Sequence, residues 1–284
     1  MPQISRRGFL KGAAAISAMP LLSAANENTT HADSKTLKFM HITDSHMDLG
    51  DSDSVEAMRL AVEFINSNYP DLDFVLFGGD NFNNNVAGDQ DAVEFKNIVD
   101  KLTMPYYSVR GNKESSPKGD DEINLAEFQK MFVNGRGLKT SGKDWLLEVK
   151  GYNILGLDSC IEHQNNGLYT EETLAFAEKT LKNSKPTVIL NHHPYTNYWG
   201  GTEEKDIHKY VLNNTYETQQ RLFGYNNLLL TLSGHKHIDS HTQINTVDVI
   251  VTRGFIRPKD LDMYPMRYVE LSGDTINEQL IYTA

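Results

Sequence analysis

A single cysteine, Cys160, leaves this sequence of 284 residues without an internal disulfide or a cysteine-built zinc site. The lone thiol reads as a small buried apolar group. No repeat or low-complexity block interrupts Thr36 to Ala284, so nothing marks a linker and residues 36–284 read as one domain. Positive charge is also scarce. Lys and Arg number 27 against 38 Asp and Glu, a formal net charge of −11. Such a surface repels a polyanion, which argues against extended nucleic acid as a partner.

The N-terminus pairs positive charge with an apolar stretch. Ser5-Arg6-Arg7-Gly8-Phe9-Leu10-Lys11 precedes an apolar stretch from Gly12 to Leu22, then Ser23-Ala24-Ala25. A basic start, an apolar middle too short to span a bilayer and small residues at the end make an export signal. The paired arginines before Phe-Leu-Lys resemble the twin-arginine type. Residues 1–25 are therefore expected to be a signal peptide cleaved after Ala25, leaving no stable membrane anchor. Residues 26–35 read as a flexible leader. The twin-arginine translocation machinery is the expected export partner and the periplasm the expected destination. Cleavage removes Arg6, Arg7 and Lys11 and no acid, which moves the formal charge from −11 to −14.

Apolar runs at Leu37–Ile42, Phe74–Phe77, Tyr106–Val109, Trp145–Val149, Tyr152–Leu157 and Thr187–Leu190 predict strands. Four more follow at Leu228–Leu232, Val247–Val251, Tyr268–Leu271 and Ile276–Tyr282. Helices are predicted over Ser54–Asn68, with Ser54 as cap, and over Val93–Leu102 and Thr170–Leu181. Strands alternating with helices, then a run of strands, imply an α/β domain with two sheets or a mixed one.

Nearly every strand ends in residues that bind hard or borderline metals. The order is Thr43-Asp44-Ser45-His46, Gly78-Gly79-Asp80-Asn81, Gly111-Asn112, Asn191-His192-His193-Pro194 and Gly234-His235-Lys236-His237. Taken singly, each reads as a turn, a cap or a core histidine. Five in order would converge on one crevice beyond the strand ends, where open α/β sheets place their ligands. Glycines before Asp80, Asn112 and His235 are expected to let the chain turn tightly there. A nitrogen and oxygen donor set without thiolate suits Fe, Mn, Zn or Co.

The set resembles the calcineurin-like metallophosphoesterases, with their Asp-x-His, Gly-Asp, Gly-Asn-His, His and Gly-His-x-His elements. The resemblance implies a four-layer αββα sandwich, two mixed β-sheets flanked by helices. It implies two divalent or trivalent ions, one on Asp44, His46, Asp80 and His237. The other falls to Asp80, Asn112, His192 and His235, with Asp80 bridging. The activity implied is hydrolysis of a small phosphoester, by attack of a metal-bridging hydroxide on phosphorus. A second element, Gly156-Leu157-Asp158-Ser159 with Gly167-Leu168-Tyr169 and Leu174, resembles the bacterial cyclic-nucleotide phosphodiesterase branch.

The catalytic candidates are Asn112, Lys113, His193 and Asn81. Asn81 is a candidate phosphate donor, and His193 a residue that orients the site or touches substrate. Lys113 departs from the family pattern, which has histidine there to protonate the leaving oxygen or steady the phosphate. Lysine gives up its proton less readily than histidine. The rival reading of Lys113 is a solvated charge paired with Glu114, and His163 and His241 are candidate substitutes. Two further functions therefore stay open: a phosphomonoesterase, or a degenerate member that binds metal and phosphate but turns over slowly. The segments expected to select substrate are Phe82–Asp89, Glu162–Gly167 and Tyr195–Lys209.

Overall fold

The computed structural model describes residues 35–83, 90–115, 123–196, 210–255 and 263–283. The chain divides into two units, residues 1–30 and 31–284, and every described residue belongs to the second. The expected signal peptide and all but Lys35 of the leader lie outside the described residues, as do 84–89 and 197–209 of the substrate-selecting segments.

The first sheet has the order β12-β11-β1-β2-β3. Its strands are β1 (Leu37–Ile42), β2 (Phe74–Phe77), β3 (Tyr106–Ser108), β11 (Pro265–Ser272) and β12 (Thr275–Tyr282). β1, β2 and β3 run parallel, and β11 and β12 add on antiparallel. The second sheet has the order β4-β5-β6-β7-β8-β10-β9. Its strands are β4 (Lys139–Ser141), β5 (Asp144–Val149), β6 (Tyr152–Gly156), β7 (Thr187–Leu190), β8 (Leu228–Ser233), β9 (Ser240–Ile244) and β10 (Val247–Val251). β6, β7, β8 and β10 are parallel neighbours, and the outer pairs are antiparallel.

Side-chain alternation sets the layers. In β7, Val188 and Leu190 join a core cluster that also holds Phe39, Leu76, Leu230 and Ile250, so the two sheets pack face to face. Ile189 points the other way, into a second cluster with Leu155, Val249, Leu174 and Leu222. Both faces of β7 are buried, which is why its sequence, TVIL, reads as a continuous apolar run. Helices α1 (Ser52–Asn68) and α2 (Gln90–Val99) cover the first sheet through Met58, Val62, Phe95 and Ile98. The second sheet is covered by α5 (Glu171–Leu181) and α6 (Thr215–Leu222). Short α3 (Asn112–Ser115) and α4 (Leu125–Phe128) lie between α2 and α5 in the chain, and α4 runs into a π-helical turn, Gln129–Val133. The expected four-layer αββα sandwich is the observed one.

Boundaries shift for local reasons. Asp51, not Ser54, caps α1: its side chain accepts from the Asp53 N–H, a cap worth about 1 kcal/mol. The Ser54 hydroxyl instead donates to the Asp51 carbonyl inside the first turn (2.7 Å). Helix α2 starts at Gln90 and ends at Val99, ahead of the expected Leu102, because Lys101 and Leu102 close tight turns onto Ile98 and Val99.

Candidate metal centre

The parallel strands β1, β2, β3, β7 and β8 deliver their following residues to the same end of the two sheets. Asp44 and His46 follow β1, Asp80 follows β2, and Asn112 opens α3 after β3. From the second sheet come His192 after β7, and His235 and His237 after β8. The strand-end turns lock to one another. Asp44 N–H donates to the Gly79 carbonyl (2.9 Å) and His46 N–H to that of Asp80 (2.8 Å). The two sheets are joined by the His235 N–H, 2.9 Å from Asp44 Oδ2.

Five of the seven expected ligands have left-handed backbones: φ is 55° at Asp44, 45° at His46, 50° at Asp80, 66° at His235 and 53° at His237. Such conformations are uncommon outside glycine, cost on the order of 1 kcal/mol or more each, and concentrate at functional sites. The adjacent glycines serve closeness more than turning. A Cβ on Gly111 would lie 2.2 Å from Asp80 Oδ1, and one on Gly234 would lie 2.0 Å from Thr43 Oγ1. Neither of these glycines has a positive φ, so before Asn112 and His235 the tight-turn expectation is replaced by one of space, whereas Gly79, before Asp80, turns as expected at φ 89°.

The donor atoms fall into two sets that share one oxygen. Asp80 Oδ2 lies 3.7 Å from His46 Nε2 and 3.5 Å from His192 Nε2. On one side, His46 Nε2 and His237 Nε2 approach to 3.0 Å, with Asp44 Oδ1 3.1 Å from the latter. On the other, His192 Nε2 lies 3.2 Å from both His235 Nδ1 and Asn112 Oδ1. Three overlapping groups can each hold an ion: Asp44, His46 and His237; Asp44, Asp80 and His192; and His192, His193 and His235.

Neighbours fix the tautomers. The Asp48 carboxylate only accepts, so the Asn83 amide nitrogen faces it (3.1 Å) and the Asn83 oxygen faces His46 Nδ1 (3.0 Å). His46 therefore carries its proton on Nδ1 and turns a lone pair at Nε2 toward His237. Likewise His192 Nδ1–H donates to the Gly78 carbonyl (3.0 Å), turning Nε2 to the centre. Lone pairs and carboxylate oxygens converging this closely repel unless a cation or proton lies among them. The residues fit metal ions on this ground. Burial opposes charge on His192, but Asp80 outweighs it and lifts the imidazole to about 9. The same pairing holds Asp80 well below the carboxylate range against its own burial. A metal ion entering here displaces that proton.

Glu114 is the residue the sequence reading mistook. The rival reading of Lys113 made Glu114 that lysine's charge partner, but Glu114 is 1% exposed. Its Oε2 accepts from the N–H groups of Gly111 (2.7 Å) and Asp80 (3.0 Å), and its Oε1 from that of Asn81 (2.6 Å). One carboxylate thus clamps the two turns that carry Asp80 and Asn112. Burial first, then the Asp80 charge, push it up to about 7. Nothing local in Gly-Asn-Lys-Glu announces this, because two of the three donors lie more than thirty residues away.

The remaining candidates divide. Lys113 donates its N–H to Asp80 Oδ1 (2.7 Å). It also lines a recess of about 230 Å³ with Asn165, Tyr210, Asn112, Asp80, His46, His235 and His237. His193 is buried, with Nδ1 2.8 Å from the Ser159 hydroxyl and Nε2 3.2 Å from the Asn165 carbonyl. Burial, then His235 and His192, hold it well below the usual imidazole value. Asn81 is buried too, and its amide donates to Ser108 Oγ (3.1 Å) and the Val109 carbonyl (3.3 Å). Neither His193 nor Asn81 lines the recess. His241 is paired with Asp248 and Glu278 at the edge of the second sheet, and neither it nor His163 lines the recess. Buried Arg110 pairs with Asp158 (2.6 Å) and Glu162 (2.8 Å), fastening the 158–167 segment beside the Gly111–Asn112 turn.

Comparison with known proteins agrees with this geometry. The family model for calcineurin-like phosphoesterases matches residues 37–239. The chain belongs to that family. It is accordingly a phosphoric ester hydrolase by descent, built on a fold that carries metal-ligand clusters. Residues 3–23 match the twin-arginine translocation signal, which marks the protein for export to the periplasm. Among the described residues no helix is long and apolar enough to cross a membrane. A protein of Arcobacter nitrofigilis named as a probable glycerophosphodiester phosphodiesterase is 26% identical, over 80% of this chain and 79% of its own length. One of Moraxella catarrhalis, named as a probable cyclic nucleotide phosphodiesterase, is 27% identical over 56% of this chain and 58% of its own. A dimetal phosphatase from Danio rerio shares the fold at a TM-score of 0.64 and 14% identity, covering 87% of this chain and 99% of that one.

Proposed function

We propose that this chain is a periplasmic phosphodiesterase that hydrolyses a small phosphodiester at a dinuclear metal centre. The observation that carries the reading is the single Asp80 oxygen facing both donor sets, one of Asp44, His46 and His237, the other of Asn112, His192 and His235. The names of the two bacterial relatives support a diester over a monoester. The mature protein begins after Ala25, and residues 36–284 form its one catalytic domain. Two ions of Fe, Mn, Zn or Co bound there would neutralise phosphate charge and make water nucleophilic near neutral pH.

The chain's own groups do the rest. Asn112 presents its oxygen to the centre, and its backbone neighbours hold it there through Glu114. Lys113, on the recess wall, contributes a positive charge that steadies the phosphate and gives a proton or hydrogen bond to the leaving oxygen. His193 and Asn81 act as positioning residues, since their hydrogen bonds are directed into the protein. A degenerate, slow-turnover reading also draws on Lys113, which stands where the family pattern has histidine.

Assay of the metal-reconstituted mature protein on bis-p-nitrophenyl and mono-p-nitrophenyl phosphate separates these readings. Faster turnover of the diester is expected, and a preference for the monoester overturns the substrate class. Lys113→Ala should lower kcat on poorly activated diesters by about 10²–10⁴-fold, the usual contribution of a positioned acid. A Lys113→His enzyme faster than wild type by orders of magnitude would favour the degenerate reading instead.

A further inference from the structure

An asparagine amide has two ends of nearly equal size, and only its neighbours decide which faces where. At Asn112 that choice matters, because a metal ion binds the oxygen and not the nitrogen. Two groups flank the Asn112 amide. One is His192 Nε2, turned to the centre because Nδ1 donates to the Gly78 carbonyl. A ring nitrogen donates when it carries a proton and accepts when it does not, so beside His192 alone either end of the amide fits. The other is an acceptor, Asn165 Oδ1, 3.3 Å from Asn112 Nδ2. With the nitrogen drawn to Asn165, the Asn112 oxygen is left facing His192 Nε2 at 3.2 Å.

Asn165 is itself held by the core. Its backbone carbonyl accepts from His193 Nε2 (3.2 Å), and His193 Nδ1 accepts from the Ser159 hydroxyl (2.8 Å). His193 stays in place because Gly167 offers no side chain: a Cβ there would lie 2.4 Å from the imidazole ring. A relay of Ser159, His193, Asn165 and Asn112 thus runs from the second sheet to the recess. Its last free side chain, Asn165, is exposed and lines that recess. We infer that Asn165 is a positioning residue for the half of the centre made by Asn112, His192 and His235, setting the Asn112 amide so that its oxygen is the ligand. The inference rests on the dinuclear reading above. It gives the 158–167 segment a task in metal retention, beyond any contact with substrate.

The test begins with the two-ion mature protein, dialysed against chelator of increasing strength with retained metal counted at each step. Asn165→Ala should release one ion at about tenfold weaker chelation while holding the other as wild type does, since partners that orient a ligand typically contribute 10–100-fold to metal affinity. Asn165→Asp keeps an acceptor at that place and should restore wild-type retention. The exposed position makes the melting temperature of the fully loaded variants a control that should not move. Two ions held by Asn165→Ala as tightly as by wild type overturn the inference alone. Equal loss in the Ala and Asp variants also overturns it, because the acceptor would then not be what matters. A wild-type protein that binds fewer than two ions overturns the dinuclear reading, and this inference falls with it.

Discussion

The Asp44, His46 and His237 half of the centre and the Asn112, His192 and His235 half reach similar donor geometries by different routes. All three residues of the first half have left-handed backbones, held by hydrogen bonds between the turns after β1 and β2 and across to His235. In the second half only His235 does; Asn112 opens a helix and His192 follows directly from β7. The first half is therefore defined by backbone, with one outer asparagine, Asn83, orienting His46. The second depends more on hydrogen bonds made by its own side chains, to the Gly78 carbonyl and to Asn165 with the buried relay behind it. Backbone strain of this kind persists only where the surrounding structure over-determines it. The first half should accordingly tolerate loss of an outer partner better than the loss of a turn.

The comparison breaks most completely at Asp80, the residue the halves share. Asp80→Asn replaces the common anionic oxygen with a neutral amide and should strip both ions, read as metal content by elemental analysis of the purified protein. Loss of one ion with full retention of the other would mean that Asp80 belongs to a single half. Next in size is Glu114, which holds the turns of both Asp80 and Asn112 without touching either donor atom. Glu114→Gln puts an N–H donor against backbone N–H groups in a site 1% exposed, which should destabilise the fold by about 2–3 kcal/mol. Thermal melting of the metal-stripped variant checks this, and an unchanged melting temperature would remove Glu114 from the scaffold.

How far the sequence foretold these features depends on where each residue finds its partners. Strands such as Phe74–Phe77 and Thr187–Leu190 were legible because both faces are buried and the apolar run is unbroken. β9, Ser240–Ile244, escaped because it is a polar edge strand with no buried face to leave a pattern. Helix α6 was missed for a related reason: only Thr218 and Leu222 of its eight residues are buried. The seven expected ligands could be picked out because each sits just past an apolar strand, and the fold brings all of them together. Asn83, Glu114 and Asn165 could not, since what defines them is contact across 33 to 53 residues of chain. Glu114 shows the limit plainly. Beside a lysine and after Gly-Asn it looks like surface, and only Gly111 among its donors is local.

The smallest effect tests whether the halves are separable at all. Asn83 and Asn165 occupy matching places, one orienting His46 and the other Asn112, and neither is an expected ligand. Asn83→Ala removes the acceptor for His46 Nδ1–H and should weaken retention of the first-half ion by about tenfold, at the low end for such partners because the backbone already fixes the turn. Combined with Asn165→Ala, the two losses should fall on different ions and add, as they do for groups that share no partner. Asp80 Oδ2 is the donor oxygen that faces both halves, and both variants leave it in place. A double variant that releases both ions together, at a chelator strength neither single variant predicts, would show the link through Asp80 to be stronger than either asparagine. The two halves would then be one cooperative site.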